Sequence, residues 1–129
     1  MQVQWLTLNL FKTNMKYTLD ATGKALGRVA SAAAKILIGK ESTTEYARNK
    51  VISVQVEIIN ASKAKFTEKK LRDTLHERYS GYPGGLKQLS AALVASKKGY
   101  SELFNLAVYG MLPGNRLRKE RMKNLKVTE

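Results

Sequence analysis

The stretch Lys16-Tyr17-Thr18-Leu19-Asp20-Ala21-Thr22-Gly23-Lys24-Ala25-Leu26-Gly27-Arg28 carries the change of hydrophobic period on which the fold turns. Tyr17 and Leu19 point one way in the two-residue rhythm of a short strand over 16–20, and residues 20–23 supply Asp, Thr and Gly for a turn. From Ala25 onward the apolar positions recur as Leu26, Val29, Ala30, Ala33 and Leu37, the spacing of one helix face, and Gly39 supplies the stop. At about 100° per residue, Lys24, Arg28, Ser31 and Lys35 fall opposite that stripe. The predicted helix over 25–38 therefore has a core face and a basic face.

Beyond it, Val51, Ile52, Val54, Val56, Ile58 and Ile59 predict a strand over 51–59, buried on at least one face and ending at Asn60. Residues 40–50 are polar and loop-like, 63–67 suit a further short strand, and 68–78 are charged, part helix and part extended arm. Ser90 is placed to cap a helix over 91–96, and Ser101 with Glu102 begins another that runs to about residue 112, where Pro113 and Gly114 break the chain. Asn115 caps a final helix to about residue 125. Strands alternating with helices, the first connection being helical, predict a single α/β domain over 16–129 with a largely parallel sheet. Residues 1–15, with Trp5, Leu6, Leu8, Leu10 and Phe11, are expected to be an extension packed on that body. They have neither the basic start nor the cleavage site of a secretory leader.

Charge narrows the function. Among 129 residues, 23 Lys and Arg stand against 10 Asp and Glu, a formal net charge of +13. Like charge of this size stabilises nothing in an isolated domain, so a polyanion is the expected partner, nucleic acid ahead of an anionic membrane. The absence of cysteine removes disulfides and thiolate metal sites, and the single histidine, His76, cannot build a zinc site of the His and Cys type. No apolar run reaches the roughly 18 residues of a membrane span.

The final helix is unbalanced in the same sense. Arg116, Lys119, Lys123 and Lys126 share one face, Leu117, Met122 and Leu125 take the opposite arc with Arg118 and Arg121 at or within it, and Glu120 is the one acid. A third basic element is the loop Tyr79-Ser80-Gly81-Tyr82-Pro83-Gly84-Gly85-Leu86-Lys87, entered through Arg78. Its glycines allow positive φ and close backbone approach, Pro83 fixes the turn, and Tyr82 offers a ring for stacking.

Catalytic constellations are missing from these residues. A Walker loop needs a glycine five residues before its Gly-Lys pair and Ser or Thr after it, but Thr18 and Ala25 stand there; Gly23 and Gly27 do not make a dinucleotide fingerprint either. His76 lies in a charged segment with no nucleophile setting around it. No enzyme activity, cofactor, metal or small-molecule substrate is expected.

Three separated blocks, residues 19–28, 79–87 and 107–117 (Ala107-Val108-Tyr109-Gly110-Met111-Leu112-Pro113-Gly114-Asn115-Arg116-Leu117), together with Ile58-Ile59-Asn60-Ala61 and the closing Leu125-Lys126-Val127, resemble the large-subunit ribosomal protein thirteen family of bacterial type. The resemblance covers roughly residues 16–127. It implies a three-layer α/β/α domain around a mostly parallel sheet of about four strands, bound to large-subunit ribosomal RNA beside neighbouring ribosomal proteins and joining the particle early in assembly, in a cytoplasmic or organellar ribosome. On matching positions it implies RNA contact or loop shaping by Lys24, Arg28, Ser80, Gly81, Tyr82, Gly84, Gly85, Lys87, Asn115 and Arg116. Charge alone adds Lys35, Arg78, Arg118, Lys119, Arg121, Lys123 and Lys126. A free-standing regulator that binds messenger RNA is the alternative, since it would use the same charge.

The chain departs from the family pattern in places. Residues 46–55 lack the usual Asp-Thr-Gly-Asp loop, and His76, Glu77 and Tyr79 stand where Tyr, Tyr and His are common. Tyr109 and Gly114 replace commonly basic positions, and Arg118 replaces a glycine. The customary Tyr-Ala-Gly and His-containing tail is not found after Val127, so a neighbour contact made by such a tail is expected to be missing.

Overall fold

A computed structural model describes residues 15–41, 46 and 48–129. The expected extension over 1–15 lies, except for Met15, outside the described residues, as does part of the loop over 40–50. The period change at residues 16–28 appears as strand β1 (Met15–Asp20) leading into helix α1 (Leu26–Ile38). β2 (Val54–Ile59) follows, then a 3-10 turn (Ala61–Lys63), α2 (Glu68–Asp73), β3 (Leu75–Tyr79), β4 (Leu86–Ser90), α3 (Ala91–Lys98), α4 (Tyr100–Met111), α5 (Leu117–Lys123) and β5 (Leu125–Val127).

Among the described residues the parallel sheet has three strands in the order β1-β2-β5, with Leu19 beside Ile58 and Ile58 beside Val127. The α/β class and parallel pairing agree with the sequence reading. The fourth strand expected over 63–67 shrinks to one parallel bridge between Ala25 and Lys65, because the 3-10 turn at Ala61–Lys63 turns the chain out of the sheet. β3 and β4 instead pair with each other, antiparallel, as a separate hairpin.

One face of the sheet makes the core. Val54, Val56 and Ile58 alternate inward from β2 and meet Val29, Ala33 and Leu37 of α1 with Phe104 and Val108 of α4. A helix of about 13 residues is marginal alone. Burying side chains such as Val29, Ile36 and Leu37, worth roughly 1.5–3 kcal/mol each, is what holds α1 in place. Its small residues, Ala30, Ala33 and Ala34, let it lie close to its neighbours. Gly39 ends it in the left-handed region at φ 90°, its N–H reaching the Ile36 carbonyl at 2.9 Å while Lys40 N–H reaches that of Lys35 at 3.0 Å. A second cluster, Ala91, Val94 and Leu103, joins α3 to the outer side of α4.

The opposite sheet face is polar: Lys16, Thr18, Gln55 and Lys126 are exposed and Glu57 is half-buried. Among the described residues no helix covers it, so the helices pack on one face, where the three-layer expectation places them on both. Those polar side chains account for the difference. Glu57 joins all three strands there, 2.6 Å from Lys16 Nζ and 3.6 Å from Lys126 Nζ. The Lys16 hydrogen bond, then its charge, with Lys126 adding less, holds the Glu57 carboxyl below its ordinary range.

Two details at the C-terminal end correct the sequence reading. The final helix stops at Lys123, and Leu125–Val127 returns as β5 beside β2, so Lys126 belongs to a strand and not to the basic helix face. Arg116, not Asn115, holds the N-cap position, without a side-chain cap bond; the Asn115 carbonyl instead accepts from Arg118 N–H at 3.1 Å. Ser90, by contrast, caps α3 as expected, its Oγ accepting from Leu93 N–H at 3.4 Å.

Candidate nucleic-acid interface

The turn after β1 presents the first cations. Asp20 Oδ1 accepts from Thr22 N–H at 3.0 Å, from the Thr22 hydroxyl at 2.7 Å and from Asn60 Nδ2 at 3.1 Å. The Thr22 backbone bond, then the two side-chain bonds, with nearby Lys24 adding charge, draw the Asp20 carboxyl down to about 2. Asp20 is thus a fixed anion committed to its own turn. Lys24 follows it just ahead of α1, Arg28 lies on the exposed side of that helix, and Lys35 lies exposed about two turns further along.

Lys24 and Arg28 also flank an open groove of about 1160 Å³ floored by apolar residues including Leu26, Phe66 and Leu106. Its far wall brings in Lys65, Lys70 and His76, the last at the root of the hairpin. Lys65 and Lys70 were not singled out from sequence; the dense run of lysines over 63–70 is the signal that marks them. His76 is half-buried in this wall. The groove therefore joins the basic start of α1 to the base of β3.

The hairpin carries the glycine loop outward. Ser80 N–H meets the Gly85 carbonyl at 3.4 Å and Gly85 N–H the Tyr82 carbonyl at 3.0 Å, closing the turn between β3 and β4. Gly81 and Gly84 take φ of 90° and 75°, the left-handed region that favours glycine. Gly85 is needed for room instead: a Cβ there would collide with Ser80 Oγ. Tyr82 stands free at the tip, 76% exposed, and Tyr79 and Leu86 are exposed beside it.

On one face of the hairpin Arg78 lies directly opposite Lys87, both exposed. Like charges so placed cost roughly 0.2–1 kcal/mol, and a two-stranded hairpin is marginal by itself. On the other face Gln88 Nε2 donates to Glu77 Oε1 at 2.6 Å, and the root is tied by Ala91 N–H to the Thr74 carbonyl at 2.9 Å. The arrangement suits a surface whose repulsion a bound anion relieves.

The C-terminal cations separate into two sets. Arg116, Lys119 and Lys123 are exposed, as is the neutral Asn115 ahead of them. Arg121 is not: it is 2% exposed, its Nη2 reaches the Lys50 carbonyl at 3.5 Å, and its Nε has no hydrogen-bond partner among the described residues. Direct phosphate contact by Arg121 is incompatible with that burial. Arg118 is half-buried, turned back on the preceding turn, and Lys126 sits beside Glu57.

Among the described residues no group of three or more His, Cys, Asp or Glu could hold a metal, and no helix is long and apolar enough to cross a membrane. The model of the family described as ribosomal protein L13 matches residues 14–129. The chain is 47% identical over 111 residues to the large ribosomal subunit protein uL13 of Carboxydothermus hydrogenoformans, covering 86% of this chain and 76% of that one. It is 45% identical over 111 residues to uL13 of Caldanaerobacter subterraneus subsp. tengcongensis, with the same coverage of 86% and 76%. Against uL13 of Mycoplasmopsis agalactiae the identity is 40% over 123 residues, or 95% of this chain and 84% of the relative. With a family match across every described element, and relatives aligned over most of both chains, the chain belongs to the ribosomal protein L13 family.

Proposed function

We propose that this protein is a structural constituent of the large ribosomal subunit that binds large-subunit ribosomal RNA and supports early subunit assembly, without catalysis. The observation that carries this reading is the hairpin: Arg78 and Lys87 face each other exposed, beneath a glycine-built tip bearing a free Tyr82. Such a surface is stabilised by phosphate between its cations and fitted to RNA by shape. Lys24 just ahead of α1, Arg28 and Lys35 on it, and Asn115, Arg116, Lys119 and Lys123 around α5, extend the footprint, so several weak patches engage one structured RNA together. Ser80, Gly81, Gly84 and Gly85 shape the tip, and Tyr82 stacks on an unpaired base, a contact worth about 1–3 kcal/mol.

The test is sedimentation of tagged protein with ribosomal particles at moderate salt. Cofractionation with the large subunit and its precursors is expected. Recovery only in the soluble pool, bound to messenger RNA, would favour a free-standing regulator instead.

A further inference from the structure

Tyr109 near the end of α4 and Arg118 in the first turn of α5 close over the turn that joins the two helices. The Arg118 guanidinium carbon lies 4.5 Å from the Tyr109 ring centroid. Its Nη2 donates to the Leu112 carbonyl at 2.9 Å and its Nε to the Pro113 carbonyl at 3.2 Å. Helix ends leave carbonyls without intrahelical donors, and Pro113 forbids another turn of α4, so the Leu112 oxygen at its C-cap needs a partner. The turn is bonded within itself as well, Asn115 N–H to the Pro113 carbonyl at 2.9 Å and Arg118 N–H to the Asn115 carbonyl at 3.1 Å. A Cβ on Gly114 would come within 3.1 Å of Arg118 Nη2, so glycine leaves the space in which the guanidinium sits. Arginine's planar guanidinium lies flat on a ring while its fixed fork of donors reaches two carbonyls; the compact ammonium of lysine has no such plane with which to do both at once.

The same turn carries Asn115 and Arg116, exposed and with no side-chain hydrogen bond or ion pair among the described residues. We propose that Arg118 is a positioning residue: with Tyr109 it locks residues 112–116 so that Asn115 and Arg116 meet RNA from a fixed loop, while Arg118 itself touches no phosphate. This rests on the RNA-binding reading above. The two roles an arginine can play here differ in counterion release, because the slope of log affinity against log salt counts neutralised phosphates and not loop order. A loosened loop has to be ordered on binding, at a cost that corresponds to about a tenfold loss of affinity.

The experiment measures binding of the full chain to a transcript of bacterial large-subunit ribosomal RNA across a potassium chloride series. R118Q and Y109A are expected to bind about tenfold more weakly at every salt concentration with the wild-type slope. Y109F keeps wild-type affinity, since the ring face is retained; R118K does not rescue; R116Q flattens the slope. In the free protein, R118Q also speeds hydrogen exchange at the backbone amides of positions 115 and 118. A slope flattened by R118Q as by R116Q, wild-type affinity in R118Q, or unchanged exchange would each overturn the positioning role. A wild-type chain with no salt-dependent binding overturns the RNA-binding reading with it, whereas a binding wild type matched by R118Q overturns the positioning role alone.

Discussion

Gly39 and Ile52 are close enough that a Cβ on the glycine would occupy the place of the Ile52 Cδ1 methyl. The same glycine holds φ at 90° to end α1. The larger penalty of the substitution is the left-handed backbone, about 1–2 kcal/mol, since the half-buried Ile52 can swing its terminal methyl aside at smaller cost. Gly39→Ala is expected to lower stability by roughly 1–2 kcal/mol in urea denaturation with an unchanged m-value. Because Gly39 is buried and the substitution removes no charge, RNA affinity of the folded fraction should match wild type.

Asp20 makes the domain acid-sensitive in a defined window. Its carboxyl is drawn from the ordinary 3.8 down to about 2 in the folded chain, so it releases its proton more readily when folded than when unfolded. The stability this contributes is complete above the unfolded value and is lost as pH falls through the folded one. Asp20→Asn should remove the part of the acid-induced loss that falls between about pH 4 and pH 2. Urea midpoints of both proteins across that range check it; parallel curves would show that the carboxylate is not held by Thr22 and Asn60.

Arg78 and Lys87 set stability against binding. Neutralising either, as Arg78→Gln or Lys87→Gln, should leave the fold equally stable or raise stability by about 0.2–1 kcal/mol as the cross-strand repulsion goes. Each should also flatten the salt dependence of RNA binding by roughly 0.7–0.9 in slope. Thermal unfolding and a salt titration on the same preparations separate the two effects. Lower stability with an unchanged slope would assign these side chains to holding the hairpin together.

The tip of the hairpin is local in its demands. Replacing Gly84 and Gly85 together by Val forces a side chain into the left-handed region at residue 84 and into Ser80 at residue 85, yet touches none of the main core. Far-ultraviolet circular dichroism should stay near wild type while incorporation into large subunits falls severalfold, as expected for a lost shape contact. Normal incorporation would remove the tip from the interface.

Legibility from sequence followed the strength of local periodicity. β1 and α1 could be read because the hydrophobic period changes from two to 3.6 across a turn-forming Asp20-Ala21-Thr22-Gly23, and local and tertiary demands agree there. β5 could not, because three residues are too few to show alternation and Leu125 continues the apolar arc of Leu117 and Met122. Arg121 was already visible within that apolar arc, but only packing shows that its guanidinium is buried. Tyr109, Gly114 and Arg118 read along the chain as separate redistributions of charge. In space they meet, which no spacing rule brings out since the contact crosses a helix break. The hairpin tip was legible as a loop through its Gly and Pro, whereas the opposition of Arg78 to Lys87 depends on strand register.

The return of Leu125–Val127 to the side of β2 has a consequence for the order of events in the life of the chain. Val56 N–H bonds to the Asn124 carbonyl at 2.9 Å, Thr128 N–H to that of Ile58 at 2.8 Å, and Ala61 N–H to that of Thr128 at 3.1 Å. Ser101 N–H, in the first turn of α4, is bonded to Glu129 Oε1 at 3.2 Å. Synthesis runs from the other end, so every basic surface described above is made before the segment that closes the sheet. Until then the open rim of β2 is a template for pairing with any other strand. A nascent chain that met RNA early would be tethered by its cations while its sheet was still unfinished, and residues 124–129 would act as the latch that ends that vulnerable interval.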